Sequence, residues 1–195
     1  AFTINECSSW IGYSLDGQAN VTITGNMTLT GLYDGQHSII VYANDTAGNM
    51  GSSDAVYFTI DTTPPTITTP TQVPTTDVMP NQNVTISVNV TDALSGVQNV
   101  TLWYTINGGE WIPVNMTRDG DTYTGEIPGQ PAGTNVQHKI VAYDNAGNVA
   151  VEEYELTYHA YTVIPELPLA MILPLLMFAT LVAVMLAKNR RQENA

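Results

Sequence analysis

Residues 167–187 run for 21 positions without a charged side chain, and Thr180 alone among them is clearly polar. A helix of that length reaches about 31 Å, close to the roughly 30 Å hydrocarbon thickness of a bilayer. The run therefore predicts a single transmembrane helix, with its Leu, Ile, Phe and Val side chains favouring insertion by on the order of 5 kcal/mol. Pro168 falls in the first turn, where its missing N–H is harmless; Pro174 is interior and predicts a kink. Lys188, Arg190 and Arg191 follow the run at once, whereas residues 159–166 carry no Lys or Arg. The bias of cations toward the cytoplasmic side predicts an extracellular N-terminal part and a cytoplasmic C-terminus.

That topology makes the charge distribution informative. The chain has 195 residues, 18 Asp plus Glu against 5 Lys plus Arg, and one Cys. Residues 1–166 hold 17 of the acids but only Arg118 and Lys139 as cations, a balance near −15. Such a surface repels phosphate backbones, which excludes nucleic acid as a partner. The lone Cys7 excludes a disulfide framework and a Cys-based zinc site, and predicts a small buried hydrophobe or an unpaired thiol. The first residues, Ala1 to Glu6, have no basic or long apolar stretch of the export type, so the expectation is a mature or truncated chain.

Residues 1–162 show no apolar spacing of 3.6 residues, but many short alternating runs of Val, Ile, Thr and Tyr. In residues 84–91 every second side chain is Val or Ile with a polar neighbour, the pattern of a strand with one buried face. Strands are likewise predicted at residues 100–106, 123–127, 136–142 and 149–157, and at 10–15, 21–24, 27–32, 38–43 and 56–60. Asp16-Gly17, Asp34-Gly35, Asn107-Gly108 and Asp119-Gly120 supply positive-φ turn residues between them. Many short strands with regular turns predict an all-β fold of two tandem antiparallel β-sandwiches followed by the membrane helix.

A boundary is expected at Thr62-Thr63-Pro64-Pro65, where two prolines enforce an extended linker. The resulting organisation is residues 1–61, linker 62–65, residues 66–158, a stalk 159–166, the helix 167–187 and a basic tail 188–195. The two halves resemble each other: the run closing on Asp45-Thr46-Ala47-Gly48-Asn49 aligns with that closing on Asp144-Asn145-Ala146-Gly147-Asn148, 99 residues on. The shorter first copy places Ala1 in its second strand, so that module is expected to lack a strand at its N-terminal side. The gap predicts either a longer natural chain or a strand donated by another molecule.

The Ala-x-Asp-x-Ala-Gly-Asn turn, a strand and a Thr-Pro-Pro linker resemble the Ig-like and fibronectin type III-like repeats of bacterial and archaeal surface proteins. That resemblance covers residues 1–160 and implies adhesion, envelope structure or a spacer. Neither copy carries the paired cysteines of antibody-type domains. Pro165-Glu166-Leu167 before the helix and basic end resembles the archaeal PEF-CTERM sorting signals, with Leu167 where Phe is expected. A sorting transpeptidase is the implied partner, and the helix is then either cleaved off or kept as a permanent anchor.

Catalytic motifs are absent, and no enzyme activity is expected of these residues. The rival expectation is an accessory and anchor region for a secreted protease or glycosidase lying upstream; a third is a carbohydrate-binding module presenting a flat Trp. Asn-x-Thr sequons at Asn20, Asn26, Asn44, Asn83, Asn89, Asn99 and Asn115 exceed the about three that 16 Asn and 34 Ser plus Thr produce by chance, and are candidate glycosylation sites. Asp45, Asn49, Asp144 and Asn148, with Asp61 and Asp92 as possible neighbours, are candidate Ca²⁺ ligands; the competing reading is that they cap their own turns. His37, His138 and His159 lack metal-ligand spacing, and Trp10, Trp103 and Trp111 read as core. The expected partners are the lipid bilayer and other surface proteins or glycans.

Overall fold

The computed structural model describes residues 7–152 and 159–165. Every regular element in them is a β-strand. The first module holds β1 (Ser8–Leu15), β2 (Val21–Thr22), β3 (Gly35–Asp45), β4 (Met50–Ser52) and β5 (Val56–Ile60). The second holds β6 (Thr66–Ile67), β7 (Thr71–Val73), β8 (Val84–Thr91), β9 (Val97–Ile106) and β10 (Ile112–Asn115), then β11 (Thr117–Asp119), β12 (Thr122–Ile127), β13 (Asn135–Asp144), β14 (Val149–Glu152) and β15 (His159–Thr162).

The second module is a two-sheet sandwich. One sheet runs β10-β9-β13-β14 with β15 also on β13; the other runs β11-β12-β8-β6 with β7 also on β8, and all pairs are antiparallel. Alternation drives the packing. Val84, Ile86, Val88 and Val90 of β8 and Tyr123 and Ile127 of β12 face Val100, Leu102, Tyr104, Val136, Ile140 and Ala142 of β9 and β13, all buried. Each buried Val, Ile or Leu among them contributes roughly 1.5–3 kcal/mol by leaving water.

The first module repeats one of these sheets. Its order is β2-β1-β3-β4 with β5 also on β3, the plan of β10-β9-β13-β14 with β15 on β13. The register matches too: Ile11 pairs with Ala43 and Tyr13 with Val41, as Val100 pairs with Ala142 and Leu102 with Ile140. Both hairpin turns have positive φ at their two central residues, Asp16 (51°) and Gly17 (70°) against Asn107 (51°) and Gly108 (71°), which suits the right-handed twist of the flanking strands.

The two modules part where a second sheet is needed. A strand was expected at residues 27–32, and none forms there. Its counterpart β12 is held by six register pairs to β8. Among the described residues the first module has no strand in the place of β8, and an isolated segment with unpaired N–H and C=O groups gains nothing from strand geometry. The strand expected at 21–24 shortens to Val21–Thr22, and that expected at 149–157 is described only through Glu152. The membrane run 167–187, Glu166, Leu167, Lys188, Arg190 and Arg191 lie outside the described residues; among those described, no helix is long and apolar enough to cross a membrane.

Candidate functional site

The end of β13 shows how local sequence and tertiary position divide the work. Asp144 Oδ1 accepts the N–H of Gly147 (2.7 Å) and Asn148 (2.8 Å), and Oδ2 accepts Asn148 Nδ2 (2.8 Å). Asp45 caps its turn in a similar way in the first module, accepting Ala47 N (two residues on, rather than three), Asn49 N and Asn49 Nδ2 at 2.8, 2.8 and 2.7 Å. The turn-capping reading thus describes the local bonding at Asp45, Asn49, Asp144 and Asn148. The Asn49 amide, followed by turn N–H groups, holds the Asp45 carboxyl below its ordinary range.

Burial separates the two turns. Asp144 is 0% exposed, while Asp45 is half-buried. The difference comes from the linker: Asp61, directly after β5, is itself buried, and its carbonyl accepts Asn148 Nδ2 at 3.0 Å. Its carboxylate accepts Thr63 N and Ser95 N, both at 3.0 Å. Asp92, directly after β8, folds the adjacent loop by accepting Leu94 N (3.2 Å) and Gly96 N (2.6 Å). Asn145 Nδ2 then ties that loop to the Asp144 turn through Ser95 O at 2.8 Å and Gly96 O at 3.0 Å.

Consequently one carboxylate oxygen each from Asp61, Asp92 and Asp144 lies within 4.8 Å of the others. Hard oxygen ligands from three loops in this spacing could hold a divalent cation such as Ca²⁺. Among the described residues, no other group of three His, Cys, Asp or Glu side chains converges so closely. A cavity of about 280 Å³ adjoins the trio, lined by Asp61, Thr63, Pro64, Asp92 and Leu94. Among the described residues the Asp45 turn gathers no such group of carboxylates.

The other candidates scatter. Asn20, Asn26, Asn83, Asn89, Asn99 and Asn115 are exposed and Asn44 is half-buried. Asn83 is engaged on both sides, giving Nδ2 to Glu126 Oε1 (2.8 Å) and accepting Gly129 N (2.9 Å); Asn89 accepts Thr122 Oγ1 (2.8 Å). Cys7 is exposed and free, which corrects the expectation of a buried hydrophobe. Trp10, Trp103 and Trp111 are all half-buried; the Lys139 ammonium sits 4.8 Å from the Trp111 ring centroid, and Trp10 Nε1 donates to Thr22 Oγ1 at 2.9 Å. No flat open Trp platform results.

His138 and His159 had no role in the sequence pattern, yet the structure stacks them at 5.2 Å between centroids and 14° between planes. They are register partners on β13 and β15, and His138 is 2% exposed with neither ring nitrogen hydrogen-bonded. The signal was available: position 138 lies on the inward phase between Val136 and Ile140. Burial, followed by the charge of His159, pulls the His138 imidazole down to about 4.

Part of the chain is similar to halomucin of Haloquadratum walsbyi, with 45% identity over 71 residues; the match covers 33% of this chain and 1% of halomucin. The chain thus spans about one hundredth of the length of the curated relative it matches. Among solved structures it is similar to the fibronectin(III)-like modules of Clostridium thermocellum CbhA, at 15% identity and a TM-score of 0.43, over 85% of this chain and 82% of that one. A second likeness is BhCBM56, at 16% identity and a TM-score of 0.33, over 41% of this chain and 78% of that one. Residues 6–62 match the family model described as Bacterial Ig-like domain.

Proposed function

We propose that the chain is a non-catalytic, membrane-anchored part of an extracellular surface protein, whose tandem Ig-like modules form a stiff spacer or adhesive element near the bilayer. The observation that carries this reading is the junction. Five residues after β5 the chain enters β6, and within that span Asp61 is bonded to both the Ser95 loop and the Asn148 turn, leaving little freedom for a hinge. At the far end Val163 is fully buried and exchanges backbone hydrogen bonds with Gly133 and Thr134, while Ile164 N donates to Val78 O, so the exit toward residue 166 is pinned as well.

The single exposed thiol provides the test. A membrane-impermeant maleimide applied to intact cells should label Cys7; labelling only after lysis would place the modules inside and end this reading. Glycans on Asn20, Asn26 and Asn115 belong to the same proposal, because these sequons are exposed; intact mass of native material equal to that of the bare polypeptide would remove them. The sorting reading of Pro165-Glu166-Leu167 is met by a native C-terminal peptide containing Leu175 or Leu186, which excludes complete processing by a transpeptidase.

Calcium at Asp61, Asp92 and Asp144 extends the spacer reading, since an ion there would tie the linker to two loops of the second module. What supports it is the burial of two of these carboxylates beside a third. Chelation should then lower the melting temperature of the second module; an unchanged melting curve would remove the ion and leave the hydrogen-bonded junction.

A further inference from the structure

The second module presents two outer faces of unlike chemistry. On one sheet the outward positions of β8 and β12 include Thr85, Ser87, Asn89, Thr122, Thr124 and Glu126, all polar. On the other, the row across β9, β13 and β14 reads Asn99, Tyr143, Val149, and the row beside it Thr101, Val141, Val151. Tyr143, Val149 and Val151 are 41% to 48% exposed, on a sheet whose inner side is already packed against the core. No Asp, Glu, Lys or Arg stands in either row. Such an uncharged apolar patch on an outer face marks a surface that something else covers.

What stands beside the patch is a sequon. Asn99-Val100-Thr101 places Asn99 directly across from Tyr143, and Asn99 Nδ2 donates to Thr101 Oγ1 at 3.3 Å, which holds the amide on the outer side of the sheet. The first module repeats the arrangement with the two positions exchanged. Its aromatic, Trp10, stands on β1 where β9 has Asn99, and its sequon asparagine, Asn44 of Asn44-Asp45-Thr46, stands on β3 where β13 has Tyr143. Met50 ends that row as Val149 ends the other. Both sheets thus keep an asparagine–aromatic register pair at the same place, although neither residue is kept at its own position.

We propose that the outer face of β9, β13 and β14 is a docking surface for the chain's own carbohydrate: a neutral oligosaccharide on Asn99 that lies across Tyr143 and Val149. The inference rests on the glycosylation proposed for Asn20, Asn26 and Asn115 and extends it to Asn99. In forming the link, the Asn99 amide nitrogen bonds the anomeric carbon of an activated sugar donor, the donor's phosphate leaves, and one amide proton is released. Adjacent strands lie about 4.8 Å apart, so Tyr143 is under the first sugar and Val149, roughly 10 Å from Asn99, is under the next. A pyranose ring turns its C–H face to an aromatic ring and its hydroxyls to water, which suits an uncharged patch with Tyr143 at its centre. A second copy suits it less: residues 1–166, with 17 acids against Arg118 and Lys139, repel their own kind.

The test uses the full chain purified from its native membranes. Glycopeptide mass mapping should find carbohydrate on Asn99. Sugars on Asn20, Asn26 or Asn115 with Asn99 bare overturn this inference alone; a bare polypeptide overturns it together with the glycosylation it extends. With Asn99 occupied, Asn99→Gln should lower the melting temperature of the second module by about 4 °C in the chain with Tyr143, and by less than about 1 °C in one carrying Tyr143→Ser. Tyr143→Phe keeps the ring and should keep the full difference. Asn20→Gln, which removes a sugar outside this face, should leave the second module's melting temperature unchanged. Sugar C–H resonances should carry an upfield ring-current shift that Tyr143→Ser abolishes. An equal loss on Asn99→Gln whatever residue stands at 143, or a patch buried by concentration-dependent self-association of the glycosylated chain, overturns the proposal.

Discussion

The two modules share strand order, register and much of their turn chemistry, yet among the described residues only the second has a fully buried apolar core. Ile140 in β13 is fully buried, and its counterpart Val41 in β3 is half-buried. Asp144 is sealed under the linker, and Asp45 caps its similar turn half-exposed. The register pair Ile39 and Val56 of the first module becomes His138 and His159 in the second. One sheet plan thus supports very different energetics, and the difference lies in what covers the sheet.

Paired substitutions sharpen that contrast. Ile140→Ala should cost about 4 kcal/mol, the transfer term plus a cavity, whereas Val41→Ala should cost about 1 kcal/mol because water already reaches that site. Chemical denaturation with NMR probes in each module measures both, and equal costs would break the comparison. Asp144→Ala removes a buried acceptor from three donors and should cost roughly 3 kcal/mol, whereas Asp45→Ala, at a turn in contact with water, should cost clearly less.

Acid should move the modules in opposite directions. The folded-state value of His138 lies near 4 against an ordinary 6.5, so folding excludes its proton. The second module therefore loses stability as the pH falls from about 6.5 to 4, by on the order of 3 kcal/mol in full. His37 is raised instead, first by Tyr33 O at 2.8 Å and then by the Asp16 carboxylate at 2.8 Å. Its contribution is complete below about 6.5 and is lost as the pH rises through the raised value. Melting curves from pH 4.5 to 7.5 should show slopes of opposite sign. The double variant His138→Ile with His159→Val, which installs the first module's residues, should abolish the second module's acid loss. The smallest effect is expected from Lys139→Met: the ammonium over Trp111 is worth about 0.5 kcal/mol, visible only in a double-mutant cycle with Trp111.

The strands were legible wherever alternation was strong. Residues 84–91 and 56–60 form strands at the expected bounds. Residues 27–32 alternate as well and stay unpaired, because a strand is a property of two segments and the sequence shows one at a time. The capping role of Asp45 and Asp144 was readable, since a side chain bonding N–H groups two to four residues away is a local event. The convergence of Asp61, Asp92 and Asp144 spans 83 positions of sequence, from a linker to the ends of β8 and β13, and is brought about by packing.

By itself the sequence determined what depends on near neighbours: the β character of residues 8–152 and 159–162, the positive-φ hairpins, the turn caps, the duplication and the charge imbalance. Those follow from side-chain phase and backbone sterics over a few residues, which any reader of the chain can evaluate. Only the tertiary structure decided which of two similar sheets is covered, which of two identical turns has its aspartate buried, and that two histidines from different strands stack in a core. These outcomes depend on contacts between segments far apart in the chain, where burial changes the energy of a group whose local bonding is unchanged.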